Sequence, residues 1–147
     1  MTVNKLALIS SVALLSVCFN STVFAAQSIQ KVKIELAGEA DQPMKIVVDS
    51  APIKAGNVVF DVTNSAIGTD HEMVLVKLAS ADSALTPDPK THRIDESKLK
   101  SLGEVAGLKA GDTGKLKVKL VPGEYALICN HKSHYELGMA TRFTVVQ

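Results

Sequence analysis

Eleven residues near the C-terminus, Cys129 to Met139, hold a thiol, two imidazoles (His131 and His134) and a thioether. Thiolate, imidazole and thioether together suit copper, which cycles between Cu(I) and Cu(II). Zinc more usually recruits a second Cys or His, and a thioether is a poor zinc ligand. The spacing is Cys-x4-His-x4-Met, as Cys129, His134 and Met139. Cys129 ends one apolar-alternating strand and Met139 begins the next, so the nine residues between them form a loop. Such a loop can bring Cys129, His134 and Met139 to one point. The fourth donor must come from elsewhere, and His71 is the natural candidate. It opens an apolar strand directly after the loop-like segment 65–70. Two His and one Cys in a trigonal plane, with a long axial Met, form an electron-transfer copper site.

Other residues compete for these roles. His131, at Cys-x-His, is a second imidazole in the loop and leaves the identity of the loop ligand open between itself and His134. His92 stands among Lys90, Thr91 and Arg93 and reads as solvated. Met73 shares strand parity with His71 and Leu75, and Met44 lies on another strand; both read as core. Taken alone, Cys129 reads as a small buried hydrophobe. Its register with His134 and Met139 argues for a ligand instead. Asn64 and Asn130 are candidates for an amide that buttresses the Cys129 sulfur.

The elements that must position these donors fit one domain. The chain has 147 residues, 46% of them apolar and 21% charged. Sixteen basic residues against fifteen acidic ones exclude the strong positive field of a nucleic-acid binder. Residues 1–25 read as a secretory signal peptide: Lys5, an apolar run from Leu6 to Phe19, a short polar stretch, then Val23-Phe24-Ala25. The run of 14 residues is shorter than the roughly 20 that span a bilayer. Val17 is too bulky to precede a lipidated Cys18. Cleavage is expected after Ala25, leaving a single domain over 26–147 with no membrane span and a periplasmic or otherwise exported location. That form has 122 residues, fifteen charges of each sign and one cysteine, Cys129. An unpaired thiol in an oxidising compartment is a liability unless something occupies it.

Alternation marks the strands. Val32, Ile34 and Leu36 alternate with charged residues, as do Leu116, Val118 and Leu120. Val58, Phe60 and Val62 make another strand, and segment 44–49 a shorter one. Segment 71–79 is nearly all apolar, which predicts burial on both faces. Pro122-Gly123 predicts a turn before Tyr125, Leu127 and Cys129 on one strand face. Segment 140–146 closes the chain. Thr86-Pro87-Asp88-Pro89 cannot be a central strand. Segment 95–102, acidic early and basic late, predicts two helical turns in a long loop between Ser80 and Gly114. The expected fold is an all-β Greek-key sandwich with a short helix in that loop.

The Cys129–His134–Met139 motif, the upstream His71 and the strand Pro122–Asn130 resemble the cupredoxins, the plastocyanin- and azurin-like type 1 copper proteins. The run from Gly103-Glu104-Val105 to Gly114-Lys115-Leu116 is similar to bacterial members. The resemblance covers essentially 29–147. It implies one type 1 copper ion per chain, with His71, Cys129 and His134 equatorial and Met139 axial. It also implies a monomeric one-electron carrier with transient redox-protein partners and no enzymatic activity. A copper carrier or resistance factor using the same ligands is the alternative. A copper enzyme would need further copper sites and domains. Two departures from the family pattern stand out. Relatives with this loop carry Pro-Gly before the ligand His, where this chain has Lys132-Ser133, and plastocyanin-like members carry Asn where it has Glu72.

Overall fold

A computed structural model of the chain describes residues 28–40, 42–50 and 52–147. The expected signal peptide, residues 1–25, lies outside the described residues. Among the described residues, eleven strands run in chain order: β1 (Gln30–Ala37), β2 (Lys45–Val48), β3 (Ile53–Lys54), β4 (Gly56–Asn64), β5 (His71–Lys77), β6 (Pro87–Asp88), β7 (Arg93–Ile94), β8 (Ser101–Leu108), β9 (Thr113–Leu120), β10 (Gly123–Ile128) and β11 (Ala140–Val146). One sheet has the order β2-β1-β4-β9, the other β3-β11-β10-β5-β8, and β6 and β7 form a small hairpin. The pairs β1–β4 and β3–β11 are parallel, and the other pairs are antiparallel. The all-β sandwich expected from alternation is the observed fold.

The main core lies between the two sheets. Val32, Ile34 and Leu36 of β1 and Val58, Phe60 and Val62 of β4 face Met73, Leu75, Tyr125 and Leu127 of the second sheet. Met44, Cys129 and Met139 belong to the same buried cluster. The other face of β5 and β10 carries Val74, Val76, Ala126 and Ile128. These pack under Ile94, with Leu85, Leu99 and Tyr135 around the rim. The excursion between β5 and β8 thus covers the second face of β5, which is why that strand reads as continuously apolar.

The helix expected over 95–102 is a single 3-10 turn, Glu96–Lys98. Asp95 caps it by accepting the Ser97 N–H, and Leu99 is already extended. Charge order favoured a helix, but pairing along β5 is worth more. Segment 101–108 becomes the edge strand β8, with bulges where its register against β5 shifts.

Candidate metal centre

Antiparallel pairing sets the site. Ile128 of β10 lies opposite Val74 of β5. His71 at the start of β5 and Cys129 just past β10 therefore reach the same end of the sheet. Between Cys129 and Met139 the loop folds back on itself. Cys129 N–H donates to the Met139 carbonyl at 3.0 Å, and Met139 N–H donates to the His134 carbonyl at 3.0 Å. Ser133 adopts φ +68°, the left-handed conformation that a glycine takes more easily. Holding an L-residue there costs some strain.

Three of the four expected donors meet directly. His71 Nδ1 lies 3.3 Å from His134 Nδ1, which lies 3.4 Å from Cys129 Sγ. All three donor atoms fall within 4.8 Å of one another. Two nitrogens bound about 2.0 Å from one ion, about 120° apart, sit about 3.5 Å from each other. The donor spacing thus matches a shared ion. Met139 is fully buried in the same core cluster as Cys129, and its backbone ties to Cys129 and His134 place it at the site.

The tautomer of His71 follows from its partner. Its Nε2 lies 3.0 Å from the Gly38 carbonyl, which can only accept, so the proton sits there and Nδ1 is bare. Gly38 has φ +122°, and a Cβ on it would meet Met44 Cα at 2.8 Å and the Pro43 carbonyl at 2.9 Å. Only glycine lets β1 turn beneath this imidazole. Burial lowers the pKa of His71, and it lowers that of His134 to about 4, helped by His71, His131 and Arg93. Both rings are neutral ligands at neutral pH. Burial pushes the Cys129 thiol up to about 11, against the pull of the Glu72 and His131 backbone amides. A cation must displace that proton to bind sulfur.

His131 stands apart from the three-donor cluster. Its Nε2 is 3.7 Å from Glu72 Oε2, and its ring centroid is 5.3 Å from that of His134. Glu72, whose pKa burial raises, accepts the Asn130 N–H through Oε1 at 3.0 Å. Neither candidate asparagine gives its amide to the Cys129 sulfur. Asn64, fully buried, donates to the Thr69 and Leu108 carbonyls at 2.9 and 3.0 Å and accepts the Ala66 N–H at 3.0 Å. It thereby shapes the loop that delivers His71. Asn130 accepts the Ile94 N–H at 2.7 Å and donates to the Ile94 carbonyl and to Glu96.

The excursion clamps the ligand loop from outside. Besides Asn130, Ser133 N–H donates to the His92 carbonyl at 2.9 Å. The His92 side chain is 41% exposed, as its neighbours suggest, and its Nδ1 lies 2.9 Å from Glu136 Oε2 at the surface. Its backbone has φ +55°. Sequence spacing gave no signal for Gly38 or His92 as supports, and pointed Asn130 at the sulfur rather than at Ile94, because each acts across dozens of intervening residues.

No protein-family model and no curated protein matches the chain. Solved structures do. Auracyanin A, a "blue" copper protein from Chloroflexus aurantiacus, is 20% identical, with 80% of this chain and 99% of that chain covered and a TM-score of 0.56. Reduced auracyanin from Roseiflexus castenholzii is 18% identical, covering 84% and 100%, with a TM-score of 0.53. Rusticyanin from Thiobacillus ferrooxidans is 18% identical, covering 82% and 79%, with a TM-score of 0.55. The fold is that of the cupredoxins. Within this cupredoxin fold, the donors meet at one end of the sandwich, between the start of β5 and the loop from β10 to β11.

Proposed function

We propose that His71, Cys129, His134 and Met139 hold one copper ion, and that the chain is an exported one-electron carrier between redox proteins. The observation that carries this reading is the triangle of two imidazole nitrogens and one thiol, spaced for a single ion. The similar auracyanin A is described as a "blue" copper protein, which supports the choice of metal. Copper bound here supplies a one-electron couple. Burial of His71, Cys129 and Met139 supports electron transfer over substrate chemistry at this site. His134 is only partly buried and is the route for the electron to the surface. Ile67 and Leu137 are exposed on the loops around it and form an apolar contact area for weak, transient partners. Residues 1–25 direct export and are removed after Ala25. Among the described residues no helix is long and apolar enough to cross a membrane.

The deciding experiment adds Cu(II) to the purified protein and follows its visible spectrum through a redox titration. An intense thiolate-to-copper band that bleaches reversibly supports electron transfer. Tight Cu(I) binding with no such band favours copper carriage instead. A band that survives Cys129→Ser refutes the ligand set, and separate replacement of His131 and His134 identifies the loop imidazole. N-terminal sequencing of the exported protein tests the cleavage point.

A further inference from the structure

The outward face of the four-stranded sheet carries a lattice of lysines unrelated to the metal centre. Register places Lys31 and Lys33 of β1 and Lys115 and Lys117 of β9 on either side of β4, opposite Val59 and Asp61, with Lys119 opposite Asn57. All five lysines are exposed. Neighbouring strands lie about 4.8 Å apart, so the ammonium groups share one flat surface. Three acids share the face with these lysines and Lys45 of β2: Glu35 of β1, Asp49 beyond β2, and Asp61 of β4. Asp61 pairs with Lys115 at 2.7 Å, and its carboxyl is held below its usual range by that bond and by the charges of Lys115, Lys31 and Lys33. At the β2 edge Asp49 accepts the Lys33 N–H and the Ser50 hydroxyl. The chain as a whole is nearly balanced, with sixteen basic and fifteen acidic residues. The face is therefore a local concentration of positive charge.

We infer that this face is an electrostatic docking surface for anionic lipid headgroups. A protein partner fits less well. Protein interfaces favour aromatic residues, Arg and Met and are depleted in Lys, whereas this face offers lysine and no aromatic ring. Beside Lys117 and Lys119 there is only a shallow groove of about 340 Å³, lined by Ile29, Asn57 and Val59. The opposite end of the sheet stays free. From Asn57 to Asn64, β4 runs seven residues, or about 23 Å, toward the metal centre. A chain docked through its lysines still presents His134 to a partner.

Sedimentation with phosphatidylglycerol-rich and with phosphatidylcholine vesicles tests this. The processed chain, residues 26–147, is used, and the ratio of the two partition coefficients is read. The ratio is expected to exceed tenfold at low salt and to fall toward one at high salt. Lys117→Glu with Lys119→Glu should bring it close to one, since each lysine at the surface contributes about fivefold. Lys90→Glu with Lys100→Glu changes the net charge equally but lies off the face, and should leave most of the preference intact. A ratio near one in the unaltered chain overturns the inference, as does an equal loss in both double variants. Retention on polyglutamate without vesicle binding overturns it too, in favour of an acidic protein partner.

Discussion

Replacing Asn64 by Ala should cost the metal-free protein about 3 kcal/mol of stability. The side chain is fully buried and makes three hydrogen bonds, to the Thr69 and Leu108 carbonyls and from the Ala66 N–H. Each such bond contributes about 1 kcal/mol net, and truncation strands backbone groups that water cannot reach. For a domain of this size that loss lowers Tm by roughly 10 °C. The effect should extend to the metal centre, because the same bonds hold the loop that ends at His71. Copper binding should weaken and the visible band broaden. Asn64→Asp separates the contributions. It keeps the acceptor for Ala66 but loses both donations and buries a carboxylate, so it should be no more stable than Asn64→Ala. Denaturant unfolding of the three proteins, without and with copper, is the assay. A loss below about 1 kcal/mol in Asn64→Ala, or an Asn64→Asp protein as stable as the parent, would refute the reasoning.

Ser133→Gly should stabilise the metal-free protein by about 1 kcal/mol, because the left-handed φ of +68° costs an L-residue that much; thermal unfolding shows whether Tm rises. Gly38→Ala should do the reverse and also displace the carbonyl that orients His71, lowering both Tm and copper affinity. In the folded metal-free protein His134 takes its proton near pH 4, whereas its ordinary value is 6.5. The unfolded chain then binds the proton first as pH falls, so this group's effect is to lower stability from about pH 6.5 down to about 4, where it levels off. Urea midpoints across that range should show the decline, and His134→Gln should flatten it. Asn130→Ala should speed amide exchange at Ile94 without removing any ligand, and unchanged exchange there would show that the excursion holds the loop by other contacts.

Strand alternation made most of the fold legible. It located β1, β4, β5, β9 and β10 because each buries one face or both, and burial writes its period directly into residue order. Edge strand β8 was not legible. Its pattern, SLGEVAGL, is interrupted by glycines, and it is a strand because β5 offers hydrogen bonds along its side. The two helical turns expected over 95–102 shrank to one 3-10 turn for the same reason.

The donors themselves were written locally. Cys129, His134 and Met139 lie on one short loop and His71 opens the upstream strand β5, so residue type and spacing brought them forward as candidates, with His131 left open beside His134. What holds them was not local. The Gly38 carbonyl sets which nitrogen of His71 is bare, Asn64 shapes the approach to that ring, and Asn130 and His92 fasten the ligand loop to the excursion. A donor is recognised by its own chemistry, which residue order records. A hydrogen bond across 33 or 63 positions, as between His71 and Gly38 or His71 and His134, exists only once the sheets bring the partners together.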